Sequence, residues 1–139
     1  RRAWRMEDDG YGEELLKRLE LDDKRDKLGR ELSKGMQQKL SIACAMVHRP
    51  EVLIFDEPLV GLDPHAIKEL KAIFRELRDE GRAVLISTHM IDSVEDYWDV
   101  AHIMMNGSFA ATKHNTLEDT ESQSLEELFF EITEGGEKA

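Results

Sequence analysis

Cysteine is nearly absent. Cys44 stands alone among 139 residues, so no internal disulfide or thiolate metal cluster can form, and nothing points to an oxidising compartment or a structural zinc. Basic residues are scarce too, with 19 Lys and Arg against 30 Asp and Glu and a formal net charge of −11. An affinity built on neutralising many phosphates needs the opposite balance, so nucleic acid is not expected as a partner. No apolar run approaches the ~20 residues that cross a bilayer, and no charged-then-apolar signal segment opens the sequence. The chain therefore reads as soluble and intracellular. Internal repeats and low-complexity tracts are also missing. The 40% hydrophobic and 35% charged residues suit one globular domain with a real core and exclude a disordered or collagen-like polymer. The first residue is Arg1 and not Met, as in an excerpt or a processed chain.

The first 30 residues are mostly charged, but Leu15, Leu16, Leu19 and Leu21 can line one face of a short helix. A second helix is expected after Ser33, its natural N-cap, because Met36, Leu40, Ala43, Cys44 and Val47 recur at spacings of three and four until Pro50. Cys44 then reads as a core residue. Val52-Leu53-Ile54-Phe55 is an unbroken apolar run closed by Asp56-Glu57-Pro58, as in a strand buried on both faces. Asp63-Pro64 starts a helix whose buried stripe is Ile67, Leu70, Phe74 and Leu77, and Gly81 ends it. Ala83-Val84-Leu85-Ile86 is a second apolar run, closed by Ser87-Thr88-His89. Strand, helix and strand in this order make a βαβ unit with parallel strands and a right-handed crossover. Both polar clusters then lie at carboxyl ends of strands, the edge where open α/β sheets bind ligands. A short helix from Ile91 to Trp98 leads to a strand from Val100 to Met105. Asn106-Gly107 signals a hairpin into Ser108–Ala111. Residues 112–124 read as a loop, Leu125, Leu128, Phe129 and Ile132 as a last small helix, and Gly135-Gly136 as the start of a frayed tail.

Asp56 and Glu57 close a fully apolar strand, where ionised groups are costly unless compensated. Either they leave the core for solvent, or they carry a metal or a catalytic duty. In a nucleotide hydrolase the first acid of such a pair positions Mg²⁺ and the second orients and deprotonates the attacking water. Ser33-Lys34-Gly35 opens a helix whose unpaired amides form a ready anion site. Ser33 alone is equally an ordinary cap, but Gly35 in the first turn costs roughly 1 kcal/mol relative to Ala, which makes sense where a phosphate approaches the backbone. His89 stands where an imidazole could reach a phosphate or a water, although a lone His is more often a cap or surface residue. Asp63 explains itself as a helix start. The remaining histidines share no ligand spacing, and Trp4 among Arg1, Arg2 and Arg5 has no reading.

The order of these pieces is what is distinctive: Leu32-Ser33-Lys34-Gly35-Met36-Gln37-Gln38, Val52 through Pro58, Gly61-Leu62-Asp63-Pro64, and Ser87-Thr88-His89. From Leu15 to Ile132 the chain resembles the C-terminal half of an ATP-binding cassette (ABC) ATPase, the four segments looking like the signature motif, Walker B, the D-loop and the switch histidine. The resemblance implies an α/β fold, a partial P-loop NTPase domain with a helical signature subdomain, parallel strands and a C-terminal β-hairpin. On that basis residues 1–50 are expected as the helical subdomain, 51–132 as the C-terminal part of the RecA-like core and 133–139 as a flexible tail. It further implies an ATP sandwich dimer with a second ABC ATPase subunit, held by a transmembrane permease at the cytoplasmic face of the membrane. The cofactors it implies are ATP and Mg²⁺. Carried over by position, Ser33, Gly35 and Gln37 contact nucleotide across the dimer, Asp56 holds Mg²⁺, Glu57 is the general base, His89 bridges the γ-phosphate, and Asp63 couples the two sites.

Lys34 and Met36 depart from the commonest signature, Leu-Ser-Gly-Gly-Gln. A Ser-Lys-Gly-Met signature looks like the variant of exporter-type subunits that pair with separate six-helix permeases, and Phe130-Glu131-Ile132-Thr133 has the same flavour. The larger departure is that no Gly-x-x-x-x-Gly-Lys-Ser/Thr loop and no glutamine loop are present. The chain is expected to be a fragment or a truncated product, inactive by itself. Two alternatives stand beside a transporter ATPase. One is a non-transport ABC ATPase acting on DNA or ribosomes, although neither heptads before the signature nor a Gly-Gly signature is present. The other is a non-catalytic binding module.

Overall fold

Gly10, at φ 78°, turns the chain into α1, Tyr11–Arg18. The computed structural model describes residues 9–115 and 123–135. Leu15, Leu19 and Leu21 are buried and Leu16 is half-buried, as their shared face requires. Arg18 fastens α1 to a later helix, with Nε 2.5 Å from Glu69 Oε1 and Nη1 2.6 Å from Glu76 Oε2.

α2, Lys34–Met46, starts at Ser33, whose hydroxyl accepts from the Met36 amide at 3.2 Å. Its buried residues are Lys39, Ile42, Ala43 and Met46, not the stripe through Met36, Leu40, Cys44 and Val47. Cys44 is exposed, which corrects its expected place in the core. The helix carries two apolar stripes. One packs inward, and the other, Leu40, Cys44 and Val47, lines a surface groove of about 370 Å³ with Leu15 and Leu16, the buried Ala43 lying between the two.

β1, Val52–Asp56, leads through a turn to α3, Pro64–Asp79, capped by Asp63, which accepts from the Ala66 amide at 3.0 Å. α3 buries Ala66, Leu70, Ile73, Phe74 and Leu77. β2, Ala83–Ser87, pairs with β1 in parallel, from Val52↔Ala83 to Asp56↔Ser87. Leu53 and Phe55 are buried, the Phe55 ring lying 5.1 Å from that of Phe74. The alternate residues Val52, Ile54 and Leu85 are 61%, 71% and 57% exposed. The expected burial on both faces is therefore corrected, because among the described residues only one face of this pair carries a covering layer.

The chain divides after Thr88 into two compact units, with α1 through β2 in the first. In the second, α4, Ile91–Val94, is shorter than the expected helix to Trp98. β3, Val100–Met105, and β4, Ser108–His114, pair antiparallel with an irregularity between Ile103 and Met104. Asn106 at φ 50° and Gly107 at φ 78° form the turn between them, the two left-handed residues that match the twist of a tight hairpin. α5 spans Leu125–Gly135, and its first amide, that of Leu125, donates to both Glu95 carboxylate oxygens at 3.0 and 3.1 Å. Thr112–His114 belong to β4 and not to a loop. The rest of the expected loop at 116–122, the tail from 136 to 139, and Trp4 with its neighbouring arginines lie outside the described residues.

Candidate functional site

The two apolar runs end in register, so each acid of the pair at the end of β1 meets a hydroxyl at the end of β2. Ser87 donates its hydroxyl to Asp56 Oδ1. One residue on, the Glu57 amide donates to the Ser87 carbonyl at 2.9 Å, and Thr88 Oγ1 donates to Glu57 Oε2 at 3.0 Å. Glu57 itself has φ 47°, a left-handed conformation that costs a non-glycine residue about 1–3 kcal/mol and collects at functional sites. It breaks the strand alternation and turns the chain away from the sheet directly after the acids. The hydroxyl partners are readable in principle from the equal lengths of the runs Val52–Phe55 and Ala83–Ile86 once these are laid parallel, which sets Ser87 beside Asp56 and Thr88 beside Glu57.

Asp56 and the Ser87 hydroxyl are hard oxygen donors on an exposed strand end. A magnesium ion takes one or two protein carboxylates and completes its octahedron with water and phosphate, so these residues fit the ion that the resemblance implies. Among the described residues no group of three or more His, Cys, Asp and Glu could hold a metal by itself.

At the start of α2, Ser33 and Lys34 are exposed. Gly35 has a local reason to lack a side chain, since a Cβ there would lie 3.2 Å from the Gly61 carbonyl oxygen. The expected phosphate approach is thus not needed to explain this glycine, and the contact brings the signature segment against the loop that follows Glu57. The Gln37 side chain donates through Nε2 to the Gly29 and Leu32 carbonyls at 3.0 and 3.1 Å, closing the turn before α2.

Gln38, the last residue of the signature segment, and Lys39 after it complete the arrangement. Gln38 Nε2 lies 3.5 Å from the Glu57 carbonyl oxygen and 3.4 Å from that of Pro58. Lys39 is buried, with Nζ 3.5 Å from Asp63 Oδ2 and 3.6 Å from Glu20 Oε2. A signal for Lys39 existed, because 39, 42, 43 and 46 follow the same three-and-four spacing as a buried stripe.

The Ala66 amide, and after it the Lys39 charge, hold the Asp63 carboxyl below its ordinary value. A carboxyl lowered by folding contributes stability that is complete above its unfolded value and is lost as the pH falls through the folded one. Asp63→Asn keeps a capping oxygen and loses the charge. The variant is expected to lose less stability than the parent on acidification from about pH 5 to 3, read as the shift of the urea midpoint with pH. An identical acid limb in the two proteins would contradict the pairing.

His89 is exposed and opens the second unit. Its assignment to the γ-phosphate rests on its place in the sequence, directly after Thr88.

A family model described as ABC transporter matches residues 3–60. The ABC-type transporter ATP-binding protein EcsA of Bacillus subtilis is 36% identical over 125 residues, covering 86% of this chain and 50% of that protein. The lantibiotic transport ATP-binding protein SrtF of Streptococcus pyogenes is 38% identical over 100 residues, 72% of this chain and 42% of that protein. A solved structure described as the ATP binding subunit of an ABC transporter matches with a TM-score of 0.83 and 33% identity, covering 95% of this chain and 58% of that one. The chain thus spans half or less of the length of these two curated relatives.

Proposed function

Since the chain belongs to the ABC transporter ATP-binding family, we propose that it forms the part of an ATP-hydrolysing subunit that supplies the acidic pair, the signature helix and the loop between them. The observation that carries this reading is the acidic pair at the end of a parallel strand, each carboxylate met by a hydroxyl from the neighbouring strand. In the reaction Glu57 accepts a proton from the water that attacks the γ-phosphorus, and Thr88 orients the carboxylate that does so. Asp56, steadied by Ser87, holds Mg²⁺. When bound, the ion neutralises charge on the phosphate oxygens. Ser33 and Gly35 offer the start of α2 to the γ-phosphate held by a second subunit, and Gln37 keeps that start in place through the Gly29–Leu32 turn. His89 is assigned to the γ-phosphate by its place in the sequence, directly after Thr88.

The Walker A loop that cradles the phosphates is not in this sequence, so we place it in residues outside it. The uncovered face bearing Val52, Ile54 and Leu85 supports that placement, because the relatives are about twice as long. Residues 1–50 then act as the helical subdomain and 51–132 as the remainder of the core, with α5 continuing to Gly135 into the segment expected as the tail. No helix among the described residues is long and apolar enough to cross a membrane, and a permease subunit would hold the ATPase at the cytoplasmic membrane face. The Ser33–Met36 signature favours export.

The isolated 139-residue chain is expected to release no phosphate at millimolar ATP, whereas the longer protein containing it and a Walker A loop turns over. Turnover by the isolated chain that disappears with Glu57→Gln would overturn the fragment reading, and an inactive longer protein would overturn the ATPase reading.

A further inference from the structure

Lys39 is the one charged residue among those described that is buried, at 7% exposure. An ammonium leaves water only at a cost that paired carboxylates must offset, and both carboxylates facing it come from outside α2. Glu20 belongs to the segment after α1, and Asp63 ends the loop that begins at Glu57. The side chains of these acids are 60% and 54% exposed against 9% for that of Lys39, so Asp63 and Glu20 have far more water as an alternative partner than the ammonium has.

Residues 35, 38 and 39 lie on one side of α2, three and four positions apart. Each touches a different part of the same loop. Gly35 abuts the Gly61 carbonyl, Gln38 reaches the Glu57 and Pro58 carbonyls, and Lys39 reaches Asp63. Pro58 and Leu59 are buried, but the loop's internal Val60-to-Glu57 and Leu62-to-Leu59 hydrogen bonds are long, at 3.3 and 3.4 Å.

We infer that Lys39 is a positioning residue for Glu57: its buried ammonium ties the Asp63 end of the loop to α2, so that the signature helix and the segment carrying the base move as one block. The inference rests on the reading of Glu57 given above and adds the device that sets where its backbone stands. Lys39 acts through Asp63 and the loop and does not itself contact nucleotide.

The test uses the full-length ATPase that carries this sequence. Lys39→Met keeps the length of the side chain and removes the charge, and Lys39→Arg keeps the charge. Lys39→Met is expected to lower kcat about tenfold with KM for ATP within about twofold of the parent, because a displaced base costs rate and not binding. Lys39→Arg is expected to keep about half of the parental kcat or more. In an Asp63→Asn background, Lys39→Met is expected to cost less than about threefold further, since the two residues act through one contact. Amide exchange at Val60 and Leu62 is expected to quicken in Lys39→Met. Parental kcat in Lys39→Met, an equal loss in Lys39→Arg, or losses that add fully with Asp63→Asn would overturn the inference. If Lys39→Met fails to fold, Lys39→Gln carries the same comparison. Glu57→Gln separates the two levels. An active Glu57→Gln refutes the assignment of the base, whereas an inactive one beside a fully active Lys39→Met refutes only the tie.

Discussion

Glu57→Gln in the full-length ATPase is expected to cut phosphate release by at least about 100-fold, the lower end of what a positioned general base contributes, while leaving ATP affinity near the parental value. The amide keeps an oxygen that can accept from Thr88 Oγ1, as Oε2 does at 3.0 Å, so the side chain stays oriented and only its capacity to take a proton is lost. The Glu57 backbone, at φ 47° and bonded through its amide to Ser87, needs no adjustment. Because nucleotide still binds, the variant should accumulate as an ATP-bound dimer, visible as a nucleotide-dependent doubling of mass by light scattering. Glu57→Ala removes the partner of Thr88 as well and serves as the control for orientation. A Glu57→Gln protein that hydrolyses at the parental rate would remove Glu57 as the base.

Local chemistry alone makes some parts of this molecule legible in its sequence. Asp63-Pro64 states a helix start by residue type alone, and Asn106-Gly107 states a tight turn, because the conformations these residues prefer are those the elements need. The parallel pairing of β1 and β2 followed from two apolar runs of equal length separated by one helix. Burial was less legible, because it depends on what lies opposite. The apolar stripe through Leu40, Cys44 and Val47 was as good a candidate for the core of α2 as the stripe through Lys39, Ile42 and Met46, and only the packing of the first unit chose the second. An apolar run such as Val52–Phe55 likewise announces that both faces can be covered, not that both are. At the site, Asp56 and Glu57 were identified from charge placed after an apolar strand. Their hydroxyl partners Ser87 and Thr88, and the Lys39 tie, come from pairings 31 and 24 residues apart that no local pattern prints.

Gly35→Asp and Lys34→Gly, adjacent substitutions at the head of α2, are expected to differ sharply. At position 35 the trouble begins with the first added atom, since a Cβ would sit 3.2 Å from the Gly61 carbonyl oxygen, tight enough that the helix start or the loop must shift. Gly35→Ala isolates that steric part and should lower turnover a few-fold, about 1 kcal/mol or less in rate terms. If the start of α2 meets the γ-phosphate of the opposite nucleotide as proposed, Gly35→Asp adds a carboxylate facing it, and two like charges at ~4 Å cost on the order of 1 to 4 kcal/mol across the plausible dielectric range. Closure of the dimer should fail, with at least about tenfold loss of turnover beyond that of Gly35→Ala. Lys34 is exposed at the first helical position, where its charge is screened. Lys34→Gly should therefore keep most activity and cost up to about 1 kcal/mol in helix stability. The measurements are ATP turnover, nucleotide-dependent dimerisation and a thermal melt on all three full-length variants. Equal losses of turnover in Gly35→Asp and Lys34→Gly, or none in either, would contradict a phosphate at this helix start. A Gly35→Ala loss as large as that of Gly35→Asp would leave the Gly61 contact as the whole reason for the glycine.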